Sequence, residues 1–357
     1  MQGEAIVNLE RKTKYKSLTI IKVIFFIIAI FLLLQCFKPT WTPKIKGENS
    51  ISELHKVHIN GTELEIMIRG YNKENPIAIF VHGGPCCSEI PYVRKYQDLL
   101  EKNFTIVHYD QRGSGKSYNI GTDYSNVCAN THVEDLIELT KYIEEYLGQE
   151  KSILIGHSYG TYIATMAANK QPELYKAYIG IGQVSDMVQS ELDGLNKCID
   201  AAKIVKDMDD LKYLESVEND IKQGKSITPR QYVRKYGFSA KNIDENADYL
   251  QGFLLGTEYN FIDAIGFCVA TSKYQDELIT ETMNCPITDI VKNIDIPVYF
   301  VMGKYDCMTS PEAADKYLNN LSGKSIKQMV IFKDSAHYPQ FEEKEKFYEF
   351  MCNTFLK

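Results

Sequence analysis

Apolar positions along the chain fall into three regimes. Residues 18–37 read LTIIKVIFFIIAIFLLLQCF, with Lys22 as the only charge. About 20 residues at a helical rise of about 1.5 Å per residue cross a hydrocarbon core of about 30 Å. Lys22 lies near the start, where its stem can carry the ammonium to the interface. The pattern predicts one transmembrane helix over 18–37, a basic N-terminal segment over 1–17 before it and a polar linker over 38–52 after it. From residue 53 alternation sets in: 55–59, a turn at Asn60-Gly61, then 63–69, which is the signature of a hairpin. Short apolar runs at 77–81, 105–109, 153–155, 177–181, 298–302 and 329–332 then alternate with helical periodicity, as at 133–147 and 159–170. This predicts an α/β fold whose mostly parallel sheet carries helices on both faces. Residues 185–291 break the rhythm. They are polar, rich in Lys, Asp and Tyr, helical in character and without a buried strand run, and are expected to form an inserted helical cap. The α/β core is thereby split into 53–184 and 292–357.

Composition narrows the function classes. A chain of 357 residues suits one large catalytic domain with an insertion, and 44% hydrophobic with 24% charged residues excludes disordered and low-complexity chains. A net charge of −7 and a pI near 5.6 remove the electrostatic footprint of a nucleic-acid binder. Nine cysteines without a CxxC pair, and no HExxH, offer no metal-ligand spacing, so free thiols, no metal and no cofactor are expected. A cleaved signal peptide competes with the membrane anchor, but no small-x-small cleavage signature follows the apolar run. Arg11, Lys12, Lys14 and Lys16 before the helix outnumber Lys38, Lys44 and Lys46 after it. The expected arrangement is therefore a single-pass cell-membrane protein with its N-terminus inside and its catalytic domain outside.

The chemistry is written at strand ends. Gly156-His157-Ser158-Tyr159-Gly160 follows one apolar run and opens a helical one, the context in which G-x-S-x-G forms a sharp turn that lifts a serine hydroxyl out of the sheet. Ser158 is the candidate nucleophile, and a serine needs a base that is itself oriented by a third group. Asp306 follows the run at 298–302, and His337 follows the run at 329–332. The order Ser158, Asp306, His337 is the nucleophile-acid-base order of α/β-hydrolases. Asp334, three residues from His337, is an alternative acid better suited to shaping that loop. His55 and His58 on the hairpin, His108 in a strand and His132 at a helix start fit surface or packing roles, and His157 is the variable position of the elbow. His82-Gly83-Gly84-Pro85 follows the run at 77–81. Acyl transfer builds an oxyanion that needs preorganised N–H donors. Pro85 has none, so the backbones of Gly84 and Tyr159 are the expected donors, with His82 bracing the loop.

HGGP, then Asp110-Gln111-Arg112-Gly113-Ser114-Gly115-Lys116-Ser117, then GHSYG, Gly303-x-x-Asp306 and Ser335-x-His337-x-Pro339 together resemble the proline iminopeptidase family of α/β-hydrolases, over about residues 77–350 apart from the cap. The resemblance implies an α/β-hydrolase fold and a serine aminopeptidase that releases N-terminal residues, often proline, from short peptides, with acidic cap residues holding the free amine. Glu191, Glu258 and Asp263 are candidates for that role. One departure is Cys86, where the family usually has glycine, which bears on the shape of the pocket wall. Gly115-Lys116-Ser117 imitates the end of a phosphate loop, but Asp110 stands where its first glycine is required. Gly180-Ile181-Gly182 lacks the third glycine of a dinucleotide fingerprint. The expected function is a membrane-anchored serine aminopeptidase acting on a small peptide or other acyl substrate, attached through residues 18–37 and without nucleic acid. The alternatives are a carboxylesterase or lipase-like hydrolase and, since fold does not dictate function, a catalytically silent binding protein.

Overall fold

The structure is a computed structural model that describes residues 2–323 and 325–356; Met1, the first residue of the basic segment, lies outside them. Helix α1 (Gln2–Cys36) contains the apolar segment up to Cys36, with Phe37 just beyond its end. Within it Lys16–Cys36 has a mean hydropathy of 2.8, and residues 16–34 are exposed. The hairpin follows as β1 (Ile51–Ile59) and β2 (Thr62–Gly70), with Ile59 opposite Thr62. Asn60 and Gly61 take φ of 47° and 76°. Two successive positive φ values are what an Asn-Gly hairpin turn accommodates and most residue pairs do not.

Strands β3 (Ile77–Val81) and β4 (Thr105–Tyr109) precede α2 (Ala129–Leu147), β5 (Ser152–His157), α3 (Tyr159–Lys170) and β6 (Tyr175–Ile181). The cap then runs through α4 (Met187–Val205), α5 (Met208–Lys222), α6 (Arg230–Lys235), α7 (Glu245–Leu255), α8 (Phe261–Asn284) and α9 (Ile287–Ile290), with no strand among the described residues there. Side chains of Asp186, Asp207, Asp244 and Asn260 accept backbone N–H groups at the starts of α4, α5, α7 and α8. These caps explain where the polar stretch turns into helices. Leu195, Cys198, Leu214 and Val233 give the cap a small core of its own. The chain returns to the sheet with β7 (Val298–Gly303), α10 (Pro311–Asn320) and β8 (Lys327–Phe332), and closes with α11 (Pro339–Glu342) and α12 (Lys344–Phe355).

The eight strands order as β1-β2-β4-β3-β5-β6-β7-β8, antiparallel from β1 to β4 and parallel from there on. Alternate residues serve opposite faces: Ile77, Ile79 and Val81 pack with α2 and α3, while Ala78 and Phe80 join Phe347 and Met351 of α12. Burial on both faces is why these strands read as continuous apolar runs. The chain leaves β3 toward β4 on one side and later adds β5 on the other, so the sheet reverses direction between β3 and β5. A crevice opens at such a switch point, beyond the strands' carboxyl ends.

The linker makes specific contacts with the domain. Trp41 N–H donates to Thr257 O (2.9 Å), and Arg69 Nη1 donates to Thr42 Oγ1 (2.7 Å) and Pro43 O (2.6 Å). A buried guanidinium on β2 and a free carbonyl at the α7–α8 corner need partners, and residues 41–43 supply them. The segment is fastened to the domain rather than strung loosely between helix and core.

Candidate active site

Ser158 stands between β5 and α3 with φ 53° and ψ −125°, outside the regions a side-chain-bearing residue favours. The flanking glycines make the turn possible. A Cβ on Gly160 would lie 2.0 Å from Val81 O, and one on Gly156 would lie 2.7 Å from Gly160 O. Register pairs Val81 with Gly156, so the loops after β3 and β5 run side by side, and a Cβ on Gly83 would meet Ser158 Cβ at 2.8 Å.

The loop after β3 is braced by His82. Its Nδ1–H donates to Gly83 O (2.9 Å), and its Nε2 accepts from Gln111 N–H (3.1 Å). Burial pushes its pKa down to about 4, keeping the ring neutral. The Asp110–Ser117 motif is likewise structural in its contacts. Asp110 Oδ2 accepts from Tyr259 Oη and Lys116 N–H, Arg112 grips Asp135 with two nitrogens, and Lys116 Nζ donates to Glu65 Oε1 (2.6 Å). These bonds tie hairpin, sheet and cap together.

After β7, Asp306 Oδ2 accepts from His337 Nδ1–H (2.8 Å) and Thr309 Oγ1–H (2.8 Å), while its Oδ1 accepts from Met308 N–H (2.8 Å) and Thr309 N–H (2.9 Å). Burial alone would raise its pKa, but His337 and Thr309 outweigh it and hold the carboxyl below its usual range. His337 is fixed by its backbone at both ends: its N–H donates to Ser239 O (2.9 Å) and its carbonyl accepts from His157 Nε2–H (3.0 Å). Ser158, Tyr159, His337, Gly83 and Gly84 line one cavity of about 340 Å³ between sheet and cap. That volume suits a small ligand.

The structure brings Ser158, Tyr159, Gly84, Asp306 and His337 to this end of the sheet. It does not bring Glu191, Glu258 or Asp263 there. Glu191 receives both arms of Arg230 (2.6 and 2.9 Å) and Thr228 N–H. Glu258 accepts from Arg94 Nε (2.8 Å) and Thr42 Oγ1 (3.2 Å), and Asp263 closes a capping box with Asn260. Each serves an internal contact, which corrects the expectation that they face the substrate. The carboxylates that do line the cavity are Glu245 and Glu89. Glu245 accepts from Arg234 Nε (2.6 Å); burial raises its pKa, and Tyr338 and Arg234 more than offset that. Glu89 Oε1 accepts from His157 Nδ1–H (2.6 Å), and its Oε2 is buried without a partner among the described residues. Burial raises the Glu89 pKa and lowers that of His157; each partner reverses the other's shift, leaving a charged pair. Cys86 is a buried free thiol. It takes φ 65°, the region that favours glycine, and packs into the core, leaving Cys87 on the cavity wall.

Comparison with known proteins follows the same lines. Bacillus subtilis (strain 168) has a protein named "Probable aminopeptidase YbaC" that is 29% identical over 321 residues, spanning 85% of this chain and 96% of that protein. A proline iminopeptidase of Saccharolobus solfataricus is 24% identical over 287 residues, 79% of this chain and 84% of that one. Among solved structures, a proline iminopeptidase-related protein from Thermus thermophilus superposes with a TM-score of 0.59 at 19% identity, covering 86% of this chain and 98% of that one. The sequence profile of the alpha/beta hydrolase fold matches residues 76–344, and with the switch-point crevice and the strand order it assigns this chain to the α/β-hydrolase family.

Proposed function

We propose that this protein is a serine hydrolase that removes N-terminal residues, proline among the best, from short peptides. The observation that carries the reading is the hydrogen-bonded Asp306–His337 pair opening onto the same cavity as the strained Ser158 turn. Ser158 Oγ attacks the acyl carbon while His337, oriented by Asp306 through Nδ1, takes the hydroxyl proton on its other nitrogen and returns it to the leaving amine. The N–H groups of Gly84 and Tyr159 stabilise the oxyanion, and an acyl-enzyme forms that water hydrolyses. The substrate's ammonium is held by Glu245 and by the free oxygen of Glu89, since an unpaired charge in a partly desolvated site costs several kcal/mol. The relatives' names support the substrate class. The apolar wall of Val184, Met187, Ile227 and Ile279 keeps a carboxylesterase as the second reading. Helix α1 anchors the enzyme in the cell membrane, with the catalytic domain outside.

A fluorophosphonate probe tests the nucleophile. Wild type is labelled, Ser158→Ala is not, and Asp306→Asn folds but turns over orders of magnitude more slowly because the imidazole loses its orienting acceptor. Labelling that persists in Ser158→Ala overturns the assignment.

A further inference from the structure

The end of α1 is clamped to the cap. Gln35 and Cys36 are half-buried whereas residues 16–34 before them are exposed, and α1 touches α8. Immediately beyond the helix, Lys38 Nζ donates to Gly256 O, Asn260 Nδ2 donates to Lys38 O (3.5 Å), and Trp41 N–H donates to Thr257 O. The corner between α7 and α8 is thus held within four residues of Phe37, the last residue of the apolar run. Four residues reach at most about 14 Å. The bilayer's polar layers add about 5–7 Å on each side of the hydrocarbon.

The surface beside this clamp carries exposed apolar side chains, with Arg94 and Lys95 beside Leu255. Leu255 at the end of α7 is 74% exposed, and Ile262, Ile265 and Val269 on α8 are 38, 48 and 40% exposed. Spacings of three and four residues place the last three on one face of α8. Trp41, 52% exposed, is tied through its backbone N–H to Thr257 O, two residues from Leu255, and indole rings favour the boundary between lipid and water.

We infer that the α7–α8 face of the cap rests in the headgroup layer of the membrane that α1 spans, so the catalytic domain is docked on the bilayer rather than tethered above it. The inference rests on the reading of α1 as a membrane span. It commits to lipid as the partner because hydrogen bonds on a four-residue segment, together with the contact of α1 with α8, hold these exposed apolar side chains within about 14 Å of the end of the span. Helices α7 and α8 also line the cavity, through Tyr249 and Gln275 among others, so the elements that touch lipid are those that shape the site.

Trp41 is the only tryptophan of the chain and a built-in reporter. Full-length protein is reconstituted in phosphatidylcholine nanodiscs, with acyl chains brominated near the headgroup or unbrominated. Wild type reports Trp41; Leu255→Trp and Ile265→Trp, each with Trp41→Phe, report the cap face. Ile331→Trp in the same background reports the opposite edge of the sheet, on β8, about 30 Å away at about 4.8 Å per strand. Unchanged melting temperatures verify folding of each exposed-site variant. The expected result is quenching at positions 255 and 265 comparable to that at 41, with position 331 unaffected. Quenching at 41 without quenching at 255 and 265 overturns the docking while the anchor stands. No quenching at 41, 255 and 265 in protein that co-purifies with the nanodiscs overturns the docking while the anchor stands, and failure of the full-length protein to enter nanodiscs overturns the anchor and the docking together. Equal quenching at all four positions also overturns the docked face, because it means that contact is not specific.

Discussion

His157 occupies the variable position of the elbow, yet both its ring nitrogens face acceptors, Glu89 Oε1 and the carbonyl of His337. A carbonyl only accepts, so Nε2 carries a proton, and the Nδ1 proton is shared with the carboxylate. The ring therefore holds the backbone of the proposed base from below. We expect His157→Ala to lower kcat roughly ten- to a hundredfold with little change in KM, as a small misplacement of a reacting group does, and His157→Gln, which keeps a donor, to recover part of it. Steady-state kinetics on a prolyl amide checks both. His108 gives the second residue-scale prediction. It is buried, stacked on Phe80 at 4.7 Å, with Nε2 unpartnered among the described residues. Burial pushes its pKa down to about 4. Below pH 6.5 the unfolded chain binds a proton that the folded chain refuses until about pH 4, so stability is lost as pH falls through that window, in full by roughly 3 kcal/mol. His108→Phe should match wild type in urea midpoint at pH 7.5 and exceed it at pH 4.5. Asp110, whose pKa burial raises to about 7, acts with the opposite sign but is common to both proteins and cancels in the comparison.

Among the elements, the segment between α1 and β1 behaves unlike a linker. Arg69 is 4% exposed and pairs with Glu101 through Nε (2.7 Å), while its Nη1 depends on Thr42 and Pro43. A soluble version starting at Lys38 keeps these acceptors, and one starting at Ser50 loses them. Leaving a buried charged donor without its acceptors costs about 1–3 kcal/mol. We expect the shorter form to melt several degrees below the longer one, with turnover per folded molecule retained because the cavity residues are untouched. Equal melting temperatures would show the segment to be dispensable.

At the scale of the whole molecule, the cavity exists only because sheet and cap face each other. Its polar groups come from both: Glu89 and Ser158 from the core, Arg234 and Glu245 from the cap. A cationic N-terminus entering there meets two carboxylates, one of them with a free oxygen. Acetylating the amine of a prolyl amide should lower kcat/KM roughly ten- to a hundredfold, the loss of a charge-assisted contact of about 1.5–3 kcal/mol. Glu245→Gln should lower it for the free amine while leaving the acetylated substrate nearly unchanged. Equal cleavage of free and acetylated substrates, or acyl esters outrunning every amide, favours the esterase.

The parts of this protein that its sequence determined are those set by near neighbours. Strand alternation, the Asn60-Gly61 turn, the helix caps at Asp186 and Asn260 and the glycines around Ser158 depend on groups within a few residues, and the α/β order follows from their succession. Strand ends also placed Asp306 and His337 among the candidates, because chain direction in a parallel sheet sends those loops to one side. Tertiary structure alone decided which carboxylates meet the cavity. Glu191 is taken by Arg230 across 39 residues and Glu258 by Arg94 across 164. Glu89 meets His157 from 68 residues away, and Thr42 meets Glu258 across 216. An acidic side chain has no periodicity that announces its partner, and its environment is fixed by whichever distant group the packing of sheet and cap brings within about 3 Å.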